Sequence, residues 1–180
     1  MTPVSSKSPG SAVRWEVISL FTALSPDELA MVQPIFQEAA YSARTRVVTE
    51  GESGREMFLL VSGRVRIVKS MIMPGIDVEA LAGKDSSKVL ATLTGDALPF
   101  FGEMSLISDS PRSATVETLE PSSFLVTDRD RFFGLVDREP VLGCKLLEAL
   151  CGRMAEMVRS SNAEVMKLTT ALALLLTDRR

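Results

Sequence analysis

The sequence predicts an α+β fold that is mainly β, with an antiparallel β-sandwich or roll between N-terminal helices and a long C-terminal helix. Short apolar runs alternate with turn residues about every ten residues through the middle of the chain, which is typical of small all-β units. A helix-start signal precedes these runs at Ser25, and a heptad pattern follows them from Pro140. The order of these signals puts helices at both ends of a β-rich centre.

The composition fits one folded domain with an additional element. The chain has 180 residues, of which 46% are hydrophobic, and its formal net charge is -3. No overall basic field therefore draws the chain toward nucleic acid. Histidine is absent from the sequence, which removes the commonest general base and the commonest metal ligand. We expect neither an enzyme nor a metal site.

The N-terminus and the cysteines give further expectations. Residues 1–11 are rich in Ser, Pro and Gly, which predicts a disordered N-terminus, and they lack the apolar core of a signal peptide. No apolar run is long enough to span a bilayer. Cys144 and Cys151 lie in one helical pattern and are predicted to be small core residues of a protein in the reducing cytoplasm.

Helix and strand signals follow in order along the chain. A helical pattern begins at Ala12, and Ser25 with Glu28 forms a capping-box signal before a second helix that Pro34 shortens. Residues 70–88 lack periodicity and predict a long hairpin loop. Strands are predicted over residues 46–48, 57–61, 64–69, 89–93, 113–119 and 123–126, and a short helix over 128–136.

The segment over residues 101–116, FGEMSLISDSPRSATV, indicates a binding site. Gly102 lets the backbone approach a ligand closely, and the free N–H groups of the turn that follows favour an anion. Arg112, placed by a proline turn, adds a planar cation suited to phosphate oxygens. Glu103 would repel a bare phosphate, but it can accept a hydrogen bond from a sugar hydroxyl. A phosphate joined tightly to a ribose with one free hydroxyl is a cyclic nucleotide.

This segment resembles the phosphate-binding cassette of the cyclic nucleotide-binding domain, whose usual form is F-G-E-[LM]-[AS]-L, a short loop, then P-R-[STA]-A-T-V. The family includes regulatory subunits of cyclic-AMP-dependent kinase, the catabolite activator protein class and cyclic-nucleotide-gated channels. The resemblance implies an eight-stranded antiparallel β-roll of the double-stranded β-helix (jelly-roll) kind, with an inserted cassette helix. It also implies a binding domain over residues 12–138 and a long helix over 139–180 that serves as lid and dimerisation element.

The resemblance also implies roles for individual residues. Glu103 would accept the ribose 2′-hydroxyl, and Arg112 would bind the cyclic phosphate. Ser160 and Ser161 are candidates to cap the base from the last helix, with a solvated or seam polar patch as the alternative. The complete set expected in the cassette is Phe101, Gly102, Glu103, Met104, Ser105, Arg112, Ser113 and Ala114.

The length of the predicted last helix indicates that it has a partner. A helix of about 35 residues is about 50 Å long, which is longer than one small β domain can cover. An identical helix in a homodimer is the simplest partner, and a single helix packed on its own sheet is the alternative. Two mostly apolar rows recur every seven residues: Cys144, Cys151, Val158, Val165 and Leu172, and Leu147, Met154, Ser161, Leu168 and Leu175.

These patterns together favour a cyclic nucleotide-binding regulatory protein. We expect cyclic AMP (cAMP) rather than cyclic GMP (cGMP) as the ligand, no cofactor, signalling through the last helix, and an effector protein of unknown identity. Because no recognition helix or basic patch follows the heptads, direct DNA binding by this chain is not expected. A truncated transcription regulator, a channel or kinase sensor fragment, and a ligand-free dimerisation module are the alternatives.

Overall fold

The computed structural model describes residues 13–70 and 87–177 and contains two four-stranded antiparallel sheets. The strands are β1 (Gln37–Tyr41), β2 (Arg46–Val48), β3 (Glu56–Ser62), β4 (Arg64–Ser70), β5 (Ser87–Thr94), β6 (Phe100–Phe101), β7 (Thr115–Thr118) and β8 (Ser122–Asp128). One sheet has the strand order β1-β8-β3-β6, and the other has the order β2-β7-β4-β5. Both sheets contribute to one apolar cluster, so they pack face to face.

The predicted mainly-β roll with flanking helices is confirmed, and two strands were not predicted. Strand β1 consists of QEAAY, which has little β-propensity, and its pairing with β8 holds it in the sheet. Strand β6 pairs with Phe58 and Leu59 of β3 just before the cassette. Residues 71–86, the greater part of the predicted loop, and residues 1–11, predicted to be disordered, lie outside the described residues.

The described part of the N-terminal region, from residue 13 on, contains one α-helix where two were predicted. Helix α1 (Pro26–Val32) has the predicted capping box: the Ser25 hydroxyl accepts from the Glu28 N–H, and Glu28 accepts from the Ser25 N–H. A 3-10 turn over Gln33–Ile35 follows it, at Pro34. The prediction of a helix from Ala12 is wrong over the described residues. The backbone there forms successive i to i+3 turns, and the helical part is a 3-10 turn over Trp15–Val17.

The remaining helices are α2 (Glu103–Ser108), α3 (Arg129–Arg138) and α4 (Pro140–Thr177). The first turns of α4 pack into the larger apolar cluster through Leu142, Leu146 and Leu150, together with buried side chains of α1 and α3. Cys144 and Cys151 are exposed, so their prediction as core residues is wrong. The physical reason is rotational: the domain covers the face of α4 that contains Leu142, Leu146 and Leu150, with Leu147 partly buried beside it, and leaves both cysteines outward.

Beyond its first turns, helix α4 leaves apolar side chains in solvent. The side chains in question are each more than half exposed: Val158, Val165, Met166, Leu168, Leu172, Leu174, Leu175 and Leu176. No helix among the described residues is both long and apolar enough to cross a membrane. The described chain therefore presents an unpartnered apolar helix face of a kind that commonly marks a protein interface.

Candidate functional site

The cassette begins with a backbone turn that requires glycine. Gly102 joins β6 to α2 with φ +87°, in the left-handed region, and a Cβ there would lie 2.6 Å from the carbonyl oxygen of Glu56. The turn directs the chain into α2, which ends at Asp109 with φ 54°. Glu103 and Ser105 of α2 are buried, whereas Met104 is exposed. The sequence therefore folds into a short helix whose first residues lie against the rest of the domain.

The backbone of Arg112 is fixed by a neighbouring turn. Its N–H donates to the carbonyl of Glu52 at 2.9 Å, and its carbonyl accepts from the N–H of Gly51 at 2.9 Å. The side chain then passes Gly54, where an added Cβ would lie only 2.4 Å from Nε of Arg112. Gly54 thus leaves the space that the guanidinium occupies.

The guanidinium of Arg112 is buried and is bound on one side by Glu56. Nη1 donates to the Glu56 carbonyl oxygen at 2.7 Å, and Nη2 donates to Oε2 of the same residue at 2.6 Å. Arg112 is only 7% exposed. Burial lowers the pKa of Arg112, while the charge and hydrogen bond of Glu56 oppose that shift. The guanidinium is a cation held in a poorly solvated position with unused N–H donors.

Glu103 faces a cation from the long helix. Its carboxylate is 5% exposed, and Oε1 lies 3.6 Å from Nε of Arg153 in α4. The Arg153 guanidinium lies over the Phe100 ring, 4.6 Å from its centroid. Nε of Arg153 is buried and has no hydrogen-bond partner among the described residues. The cassette and the long helix therefore meet through a charge pair and a ring contact.

These groups surround a cavity of about 240 Å³, hereafter the cassette cavity. It combines the buried Arg112 guanidinium, the more exposed Arg153 guanidinium, a buried carboxylate acceptor and apolar walls. This combination suits a ligand with an anionic group, a hydroxyl and a flat apolar part. The described residues contain no cluster of His, Cys, Asp and Glu that could hold a metal ion. The lining residues are Val48, Ile67, Leu90, Phe101, Gly102, Glu103, Met104, Ser105, Arg112, Ser113, Ala114, Val116, Arg153 and Met157.

The structure brings together all eight residues expected in the cassette, from Phe101 to Ala114, around this cavity. Ser160 and Ser161 are exposed and do not line it, because the cavity meets α4 nearer the start of the helix, at Arg153 and Met157. Sequence reasoning missed these two residues. No local sequence signal marks them, because packing of α4 against the domain decides which of its faces meets the cavity.

Comparison with known proteins identifies the family. Residues 38–139 match the family model described as "Cyclic nucleotide-binding domain". That match covers more than half of the chain and contains the complete cassette. This chain belongs to the cyclic nucleotide-binding domain family.

Individual relatives agree with this assignment. The chain is 29% identical over 137 residues to the "Cyclic AMP receptor protein" of Thermus thermophilus, a match covering 76% of this chain and 57% of the relative. It is 30% identical over 116 residues to human "cGMP-dependent protein kinase 2", covering 64% of this chain and 14% of the kinase. A cyclic nucleotide-binding domain from Methylobacillus flagellatus superposes with a TM-score of 0.69 at 26% identity, covering 84% of this chain and 80% of that structure. The chain therefore spans only part of the length of these two curated relatives.

Proposed function

We propose that this chain is a cyclic nucleotide-binding sensor module that takes cAMP in the cassette cavity and signals through helix α4. The observation that best supports this proposal is that Arg112, Glu103 and Arg153 all line that cavity. In this proposal Arg112 binds the cyclic phosphate, Glu103 accepts the ribose 2′-hydroxyl, and Arg153 and Met157 close the cavity over the base. The module binds and does not catalyse, and it requires no cofactor.

The apolar part of the cavity lining supports adenine over guanine. It includes Ile67, Leu90, Val116 and Met157. Guanine carries an exocyclic amino donor and a carbonyl acceptor that would lose water without finding partners there. Adenine presents fewer polar atoms at the same edge, so its transfer into this cavity costs less. Ser113, which lines the cavity as Ser105 does, is proposed to contact phosphate or base.

A chain of contacts supports signalling from the cassette to α4. Arg129, the first residue of α3, donates from Nη1 to the carbonyl oxygens of Leu106 and Ile107 at 2.5 and 2.6 Å, at the C-terminal end of α2. Helix α3 packs against α4 in the larger apolar cluster. A ligand that fixes α2 would therefore bias the position of α3 and α4, provided that it binds the two helix positions with different affinity.

The exposed heptad face supports a homodimer as the working form. The second copy would cover the rows that include Val158, Val165 and Leu172, which the described chain leaves in solvent. Few charges flank these rows, so two copies would not repel each other along the seam. The effector that reads the helix is a further protein whose identity stays open. A cytoplasmic location is part of the proposal, and both cysteines are free thiols.

A second candidate function follows from the relatives. Because this chain spans 57% of the Thermus thermophilus receptor protein and 14% of the human kinase, it corresponds in extent to the sensor part of a larger regulator. The same site would then control DNA binding, a channel or a kinase elsewhere in a longer chain. A ligand-free dimerisation module is the remaining alternative, and it would leave the buried charges of the cassette cavity without a purpose.

Thermal unfolding with added ligands tests the proposal. Purified protein is scanned with cAMP, cGMP, 5′-AMP and inorganic phosphate. A ligand at about one hundred times its Kd adds about 2.7 kcal/mol, which corresponds to a rise in Tm of about 5–10 °C for a chain of this size. We expect the largest rise with cAMP and little with 5′-AMP or phosphate. No shift with either cyclic nucleotide at millimolar concentration would overturn the proposed function.

A further inference from the structure

We propose that Glu56 sets the nucleotide affinity of this site by neutralising Arg112 from behind, so that removing the Glu56 charge makes binding tighter. This inference rests on the proposed function and adds a residue to it that lies outside the cassette. Neither the motif nor the lining of the cassette cavity includes Glu56.

Arg112 separates two cavities. On one side is the cassette cavity, and on the other is a cavity of about 370 Å³, the rear cavity, which Glu56 and Arg112 both line. The rear cavity is also lined by Tyr41, Glu52 and other residues of the neighbouring strands and turn. Glu56 therefore contacts the guanidinium from the side opposite the proposed ligand, and it does not occupy the ligand's own space.

The contact between Arg112 and Glu56 is strong, although Glu56 is not part of the cassette motif. Both Nη atoms of Arg112 donate to Glu56, at 2.7 Å to its carbonyl oxygen and 2.6 Å to Oε2. The same Oε2 accepts from the N–H of Arg55 at 3.0 Å. The negative charge of Glu56 also acts across the rear cavity: burial raises the pKa of the Tyr41 phenol, and the charge of Glu56 raises it further.

The charge balance determines the direction of the effect. Without ligand, the two arginines of the site each face one carboxylate, Arg112 with Glu56 and Arg153 with Glu103. A cyclic phosphate brings a further negative charge to a guanidinium that is already neutralised. The phosphate and the Glu56 carboxylate then repel each other across the buried Arg112 guanidinium, although solvent around the half-exposed Glu56 reduces this repulsion. Part of the attraction between Arg112 and phosphate is therefore offset by Glu56.

The exposures of Glu56 and Arg112 show which of the two side chains can move when a ligand binds. The Glu56 side chain is 48% exposed, whereas that of Arg112 is 6% exposed. Glu56 can turn toward solvent through the rear cavity only by giving up its hydrogen bond from Nη2 of Arg112, while Arg112 stays in place against Gly54 and Gly102. Glu56 therefore provides the buried guanidinium with a counter-charge in the ligand-free protein. This counter-charge moves away when an anion binds Arg112.

Calorimetric titration with cAMP tests this inference on the full chain. The variants are Glu56→Gln, which keeps an acceptor oxygen but removes the charge, and Glu56→Ala, which removes both. Glu52→Gln is the matched control, because it removes an equal charge from the wall of the same cavity and its side chain makes no contact with the Arg112 guanidinium among the described residues. We expect Glu56→Gln to lower the Kd by about tenfold, equivalent to about 1.4 kcal/mol, and Glu52→Gln to leave it within about twofold.

Each other result overturns a defined part of the account. An unchanged Kd in Glu56→Gln with a higher Kd in Glu56→Ala would mean that Glu56 only orients Arg112, and the inference would be wrong while the proposed function stands. An equal decrease in Kd in Glu56→Gln and Glu52→Gln would show a general electrostatic effect of the rear cavity, and not a specific effect of the pair between Glu56 and Arg112. If the wild-type protein binds no cyclic nucleotide, the proposed function fails and this inference fails with it. A thermal scan checks folding, and there the ligand-free Tm of Glu56→Gln should fall while its ligand-induced rise becomes larger.

Discussion

Nε of Arg153 in helix α4 lies 3.6 Å from Oε1 of Glu103, the first residue of the cassette helix α2. The two residues are far apart in the sequence, and their contact joins the long helix directly to the group proposed to bind the ribose. The guanidinium also rests on Phe100, the residue that opens strand β6. Helix α4 and the cassette helix therefore meet at a charge pair that borders the cassette cavity.

Replacing Arg153 should weaken nucleotide binding. Arg153→Met keeps an unbranched apolar stem but removes the guanidinium, which leaves the buried Glu103 carboxylate without its cation, so the site becomes more negative before the phosphate enters. We expect the Kd for cAMP to rise by about tenfold, measured by calorimetry. Arg159→Met, at an exposed position further along α4, is the control and should bind as the wild type does. Equal Kd values for the two variants would show that Arg153 does not contribute to nucleotide binding.

Substituting Gly102 should damage both the fold and the site. Gly102→Ala forces an alanine into a left-handed conformation with its Cβ 2.6 Å from the Glu56 carbonyl oxygen. We expect the free energy of unfolding to fall by about 2 kcal/mol or more and cAMP binding to be lost. Gly134→Ala is the matched control, since a Cβ there meets no atom within 4 Å inside helix α3. That variant should gain about 1 kcal/mol in chemical denaturation and bind normally.

The ion pair between Glu28 and Lys145 should make stability depend on pH. The hydrogen bond from Lys145, with further help from the Ser25 N–H, lowers the pKa of Glu28 below its ordinary value of 4.5. A lowered folded-state pKa means that the stabilisation is fully present above about pH 4.5 and is lost as the pH falls through the folded pKa. Lys145→Met should therefore lower Tm at pH 7 and match the wild type at the acidic end of the scan.

The control for this experiment is Lys167→Met, which removes an equal charge from an exposed part of α4. Its Tm should follow that of the wild type at every pH. A Tm difference for Lys145→Met that persists unchanged to pH 3 would show that lost packing, and not the charge of Glu28, accounts for the effect.

The heptad face should mediate dimerisation. Leu172→Asp introduces a charge into the seam and should convert the dimer to monomer, as measured by sedimentation over a range of concentrations. Leu174→Asp is the control, because Leu174 is similarly exposed but lies outside the two heptad rows. A wild-type chain that sediments as a monomer at tens of micromolar would contradict the proposed homodimer.

Local signals in the sequence were sufficient for much of the fold and for the cassette. The capping box at Ser25 depends on residues three apart, and the cassette depends on one short segment, so both could be recognised directly. The alternation in the 64–69 run likewise predicted strand β4. In each case the interaction that forms the structure is encoded within a few residues.

The contacts that were missed join distant segments. Glu56 and Arg112 are separated by 56 positions, and no local pattern indicates that they meet. Strand β1 has little β-propensity and depends on pairing with β8. The heptads gave the period of α4 but not the face that the domain covers, which is why Cys151 was misplaced and Arg153 overlooked. Tertiary packing, which periodicity cannot specify, decides each of these points.

The proposed cAMP site is best tested by calorimetric titration of the wild-type chain and of Arg112→Ala with cAMP. Arg66→Ala is the control, because Arg66 pairs with Glu117 at the surface of the β4–β7 sheet, outside the cassette cavity. We expect micromolar or tighter binding by the wild type and the control, and a Kd at least about tenfold higher in Arg112→Ala, since a charge-assisted contact to phosphate is lost. Binding of cAMP that is equally tight in Arg112→Ala, or absent from the wild type, would contradict the proposed site.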